Sequence, residues 1–162
     1  MTKTGGLLLA LCCLTVATPR LLQAEAAPVQ IASVDVVQSP VGPVVLLKAR
    51  GRAVPIFVDP IVAESIGAAL GGKKPPRPLT HDLMSTVLES LDAKITKASI
   101  TLKGATYYAD LRISANGKER TYDSRSSDAI ALALRFGAPI FVSEDLLQSA
   151  GKSLPDSEQQ AL

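Results

Sequence analysis

Two short segments of the chain concentrate side chains suited to acid–base and phosphate chemistry. "KKPPRPLTHDLM" (73–84) carries the chain's only histidine, His81, beside Arg77, Thr80 and Asp82, with Lys73 and Lys74 upstream. "YDSRSSDA" (122–129) carries Asp123, Arg125, Ser126, Ser127 and Asp128. Each runs arginine, hydroxyl, aspartate into what reads as a helix start. A helix N-terminus offers free N–H groups and the positive end of the dipole, so it attracts anions. An arginine just upstream can add a bidentate grip on phosphate. A neutral imidazole in such a place can serve as a general base. The plainer reading is structural. Thr80 and Ser127 would cap their helices, and Asp82 and Asp128 would complement the dipoles. Arg77 and Arg125 would pair with Asp128, Asp82 or Glu89 in an inert lattice. Glu64, mid-helix, and Glu144, at another helix start, read most simply as a solvated acid and a dipole partner.

Composition narrows the chemistry. Both cysteines, Cys12 and Cys13, lie in an N-terminal segment with a positive start at Lys3 and an apolar run of thirteen residues, 5–17. Small residues follow at 24–26. That pattern reads as a secretory signal peptide over 1–26, which predicts an exported, periplasmic or secreted protein with no membrane segment after cleavage; the alternative, from the untidy cleavage region at Arg20 and Leu21–Leu22, is an uncleaved membrane anchor. The mature chain then has no cysteine and one histidine, which leaves no His/Cys zinc site. Any bound metal would rest on carboxylates, which favours Mg²⁺ or Mn²⁺. "GGKKPP" lacks phosphate-loop spacing and its prolines lack N–H donors, so no nucleotide cofactor is expected, and no haem either. Without residues 1–26 the formal charge is 15 − 14 = +1, and the full chain has no Trp and only three Phe and three Tyr. A sequence-indifferent nucleic-acid binder would usually be more basic and more aromatic.

These residues must be placed by the elements between them. "VQIASVDVVQ" (29–38), "VVLLKAR" (44–50) and "AVPIFVD" (53–59) read as strands of an antiparallel meander, with turns at Pro40–Pro43 and Gly51–Arg52. Pro55 predicts a bulge or an edge. Asp59 as N-cap and Pro60 as first residue start a helix whose core face is Ile61, Val62, Ser65, Ile66, Ala69 and Leu70. "KKPPRP" is extended. A second helix, 80–91, shows an apolar stripe of Leu83, Met84, Val87, Leu88 and Leu91. Strands follow at 94–103 and 105–114, then an Asn116–Gly117 hairpin into 118–124. A helix over 127–136, a strand over 139–143, a helical turn or two over 144–150 and a flexible tail over 151–162 complete the chain. The expected fold is α+β: one domain over 27–150, with an antiparallel-type sheet of about six to seven strands curled around helices.

"KPPRPLTHDLM" followed by "YDSRSSDAIALALRFGAPIFVSEDLL", with "VPIFVDPIVAESI" upstream, resembles the bifunctional nuclease family over residues 31–148. The resemblance implies a dimeric α+β domain that hydrolyses phosphodiester bonds in DNA or RNA. It puts the family's recurring polar positions on Glu64, Arg77, Thr80, His81, Asp82, Asp123, Arg125, Ser127, Asp128 and Glu144. His81, Asp82 and Asp128 would then be catalytic. Arg77, Thr80, Arg125, Ser127, Lys73 and Lys74 would hold phosphate, and Asp123, Asp128 and Glu64 a divalent ion. This chain departs from the family pattern at Val62, Ser124 and Ser126, and Val62 puts the metal role in question. The alternative is a non-enzymatic dimeric binding or assembly module built around a structural arginine–carboxylate network.

Overall fold

The structure, a computed structural model, describes residues 27–73 and 75–155. The proposed signal peptide, Lys74 and residues 156–162 lie outside the described residues. Strands β1 (Val29–Gln30), β2 (Ser33–Ser39), β3 (Gly42–Ala49) and β4 (Arg52–Phe57) lead into helices α1 (Pro60–Leu70) and α2 (Thr80–Ser90). Strands β5 (Ala93–Lys103), β6 (Thr106–Ala115) and β7 (Lys118–Arg125) precede helix α3 (Ser126–Arg135). Strand β8 (Ile140–Val142), helix α4 (Glu144–Ala150) and strand β9 (Lys152–Ser153) close the chain.

The α+β class and single domain hold, but the sheet divides in two. One sheet has the order β1-β8-β5-β6-β7, and the other β2-β3-β4-β9. All pairs are antiparallel except β5 with β8. The stretch 29–38 is not one strand. Val29 pairs with Val142 in the first sheet, whereas Val34 pairs with Leu47 in the second. The chain changes sheets at Ile31–Ala32. Alternating side chains report which face of a strand is buried, but not which sheet it joins. The start of the expected tail is structured, since Lys152 and Ser153 pair with Ala53 and Arg52 and Leu154 is buried.

Local chemistry accounts for the turns. Asn116 and Gly117 both take positive φ, 51° and 71°, the twist a two-residue hairpin needs. Arg50 and Gly51 do the same between β3 and β4, one residue earlier than expected. Pro55 pairs only with Leu46, on a stretch of β4 whose other edge β9 does not reach. That is where a residue without an N–H is tolerated.

The helices fill the space between the sheets. α3 packs on β5, β6 and β7, while α1 packs on β2 and β3, and the two helices pack on each other. The run Ala129–Ala133 is buried throughout, and with Ile66, Leu47 and Ile100 it joins one continuous core. On α1 the inward face is Val62, Ala63, Ser65 and Ile66, while Ile61 and Leu70 stay exposed. α2 departs most from expectation. Its inward face carries Ser85, Leu88 and the largely buried His81, so the predicted core stripe turns out to solvent at Leu83, Met84, Val87 and Leu91. Polar residues with buried partners outcompete the apolar stripe for the core. Among the described residues no helix is long and apolar enough to cross a membrane.

Candidate functional site

The starts of three helices meet at one cleft. It encloses about 710 Å³ and is walled by Asp59 and Ile61 of the α1 start, Thr80 and His81 of the α2 start, and Arg125 and Asp128 of the α3 start. Neither hydroxyl caps its helix. The N-cap positions belong to Leu79 and Arg125, and Asp59 makes no side-chain cap bond on α1. A carboxylate takes up the slack on α2: Asp82 Oδ2 accepts the Leu79 N–H at 2.9 Å. First-turn N–H groups of α1 and α3 therefore have no side-chain cap near the cleft.

A chain of side-chain bonds runs from the core out to this cleft. Arg135 Nε donates to Asp82 Oδ1 at 2.8 Å, and its Nη2 donates to Ser65 Oγ at 2.8 Å and the Ser65 carbonyl at 3.1 Å. Ser65 Oγ lies 2.9 Å from His81 Nδ1, and His81 Nε2 lies 3.2 Å from Asp128 Oδ1. Arg125 then grips Asp128 through Nε at 2.8 Å and Nη2 at 3.1 Å, with Asp59 at 3.9 Å from its Nη1. Side-chain exposure rises along the path: 8% at Arg135, 12% at His81, 26% at Asp128 and 67% at Arg125. The inner end is largely buried and the outer end is open to solvent.

The electrostatics follow that path. Burial pushes the Asp128 carboxyl up, but bonds from Arg125 and His81 outweigh it and hold the group below its ordinary value. Burial likewise pushes Asp82 up, and the Leu79 N–H and Arg135 overturn that effect. The Arg125 guanidinium is raised, first by its bond to Asp128. A carboxyl held low in the folded chain contributes stability that is fully present above its unfolded pKa, about 3.9. That stability is lost as pH falls through the lower folded value. Urea midpoints should therefore drop steeply below about pH 4, and Asp82→Asn should flatten the drop. Equal slopes for the variant and wild type would sink this account.

Of the expected site residues, His81, Asp128, Arg125 and Thr80 come together at the cleft. Ser127 sits in the first turn of α3, partly buried. Asp82 lies on the other side of α2, in a separate hollow with Arg135 and Glu89, so it holds structure and does not face the cleft. Arg77 and Lys73 are exposed and line neither hollow. Glu144 is engaged elsewhere, with Arg50 at 2.8 Å. The three carboxylates expected to hold a divalent ion do not assemble. Glu64 is exposed outside the cleft wall, and Asp123 is exposed on β7 opposite Asp110. Among the described residues no group of three or more His, Cys, Asp or Glu converges at metal-binding distance.

Two members of the path are unmarked by local sequence. Ser65 signals itself only as a hydroxyl on the core face of α1. Arg135 signals itself by spacing: seven residues beyond Asp128, two turns along one face of α3.

Comparison with known proteins gives the fold and cleft a context. The family model of the bifunctional nuclease domain matches residues 44–155. Uncharacterized proteins from two strains of Mycobacterium tuberculosis are each 38% identical over 135 residues, 82% of this chain and 80% of theirs.

Proposed function

Because the chain belongs to the bifunctional nuclease domain family, we propose that it hydrolyses phosphodiester bonds of DNA or RNA at the cleft where α1, α2 and α3 begin. The observation that carries this reading is the 3.2 Å contact between His81 Nε2 and Asp128 Oδ1. It joins two polar motifs 47 residues apart at the mouth of one concave site. An incoming phosphate competes with Asp128 for the exposed guanidinium of Arg125, and the uncapped N–H groups add donors around it. Displacing Arg125 frees an oxygen of Asp128 toward the attacking water. Asp128 and His81 are then the proton-handling pair, and Thr80 lines the approach. Water gives a proton to Asp128 as it attacks phosphorus, the bond to the leaving oxygen breaks, and that oxygen takes a proton from solvent.

One observation favours a second reading. The path from Asp82 to Asp59 joins two arginine–carboxylate pairs through Ser65 and His81, the kind of network a non-enzymatic binding or assembly module would need. In either reading, a homodimer would cover the outward Leu83, Met84, Val87 and Leu91 stripe of α2, since exposed apolar patches of this kind mark contact surfaces.

One preparation tests these readings. The chain from Ala27 onward, which contains the whole described core, is assayed on single- and double-stranded DNA and RNA with Mg²⁺, with Mn²⁺ and with EDTA. His81→Ala and Asp128→Asn should each lower cleavage by about 10²–10⁴-fold. Wild-type protein that cuts nothing under any condition would leave the binding-module reading standing. Light scattering of the same sample reads the dimer, and Leu83→Glu should convert it to monomer.

A further inference from the structure

We infer that His81 is held by Ser65 and Arg135 with its proton on Nε2, and that it therefore acts as a hydrogen-bond donor that positions Asp128 and not as a base. The assignment stands on geometry alone; its catalytic meaning rests on the phosphodiester reading above.

The argument is a count of donors and acceptors. Arginine can only donate, so Arg135 Nη2 occupies a lone pair of Ser65 Oγ at 2.8 Å. The Ser65 hydroxyl proton must go elsewhere, and the remaining partner within reach is His81 Nδ1 at 2.9 Å. Nδ1 is thus an acceptor. On the other side of the ring, Nε2 faces Asp128 Oδ1 at 3.2 Å. That carboxylate is also gripped by Arg125. An ionised carboxylate accepts and cannot donate, so Nε2 carries the hydrogen. The two ends of the ring demand the same tautomer.

The other arrangements each leave a polar group stranded. A proton on Nδ1 alone would turn the Nε2 lone pair toward Asp128. Protons on both nitrogens would leave the Ser65 hydroxyl hydrogen without an acceptor, in a residue only 1% exposed. Flipping the ring would place carbon against both Ser65 and Asp128. Only the Nε2–H form pairs every group, in keeping with the absence of unsatisfied buried side-chain polar atoms among the described residues.

The buried position of Ser65, and its bond from Arg135, remove it as a nucleophile despite the Ser–His–Asp sequence of contacts. Ser65 and Arg135 are positioning residues. Asp82 holds Arg135 from behind, and Arg125 and Asp128 are the charged groups facing the ring at the cleft. A phosphate that draws Arg125 away from Asp128 leaves the Nε2–H still holding Oδ1, so the carboxylate keeps its orientation at the cleft. Accepting the proton of the attacking water then falls to Asp128.

Because His81 is the only histidine in the chain, a tag-free sample labelled with ¹⁵N-histidine gives one imidazole to read. A long-range proton–nitrogen correlation spectrum near pH 7.5 should show a protonated nitrogen coupled to both ring protons, which is Nε2, and an unprotonated Nδ1. A protonated Nδ1, or averaged nitrogens, in the wild type would overturn the assignment. Ser65→Ala should produce averaging, and an unchanged spectrum would remove Ser65 from the positioning role. Kinetics separate donor from base. His81→Gln supplies an N–H but no basic nitrogen, so it should cleave at least about tenfold faster than His81→Ala. If Gln is as inactive as Ala, the donor role is wrong. If the wild type cuts nothing, the nuclease reading fails while the spectrum still decides the tautomer.

Discussion

Arg135→Ala should destabilise the fold by about 1.5–3 kcal/mol, the range typical of losing a hydrogen-bonded charged partner, since Asp82 is 28% exposed and keeps its bond from Leu79. The side chain is 8% exposed and serves four acceptors: Asp82 Oδ1, the carbonyls of Ala131 and Ser65, and Ser65 Oγ. Truncation leaves the Asp82 carboxylate and the Ser65 carbonyl without this donor, beside a cavity the length of the lost side chain. A loss of this size is a large share of the stability of an ordinary domain. Urea unfolding followed by circular dichroism measures it. A change under about 1 kcal/mol would show that the pair is solvated and that the network does not hold α1, α2 and α3 together. Arg135→Met should cost less than Ala, because it refills the space even though it leaves Asp82 unpaired.

Arg125→Ala should show the opposite balance. Its guanidinium is 67% exposed and its bonds to Asp128 lie at the surface, so folding should lose no more than about 1 kcal/mol. Cleavage should fall about 10²–10³-fold, as for removal of a donor aimed at developing charge. Arg125→Lys should recover only part of that, because a lysine cannot present two parallel N–H groups to one phosphate. If Arg125→Ala unfolds the protein, the arginine is structural and the binding-module reading gains. If it cleaves at the wild-type rate, phosphate does not bind at this cleft.

The contrast between the two arginines also marks what could be read from the sequence. Arg125 stands in a dense polar motif directly before a helix, and its pairing with Asp128 needs only the local turn. Arg135 ends an otherwise apolar helix run, and its partners on α1 and α2 become visible only once three helices have packed. His81 was legible as a site candidate, but its bonds were not, since Ser65 lies on α1 and Asp128 on α3. The hairpin at Asn116–Gly117 and the Pro60 helix start were legible because glycine and proline fix backbone angles locally. The orientation of α2 was not. Its stripe of Leu83, Val87 and Leu91 has the period of a core face, yet the bonds of His81 to Ser65 and of Asp82 to Arg135 set which side faces in. The loss of Asp123 and Glu64 from the site has the same origin. The family resemblance grouped them with Asp128, and strand and helix faces turned them away.

The pairing of both chain ends has a bearing on when this protein can exist as a folded object. Val29 closes one sheet against Val142, and Arg52 closes the other against Ser153. The parallel contact of β5 with β8 also spans the segment that contains β6, β7 and α3. During synthesis, neither sheet can gain its last strand until residues near the C-terminus have left the ribosome. Helices and the β6–β7 hairpin can form early, because their contacts are local, but closure waits on long-range pairs. The cleft, built from residues between β4 and α3, is therefore assembled by a fold that the β8 and β9 pairings complete last.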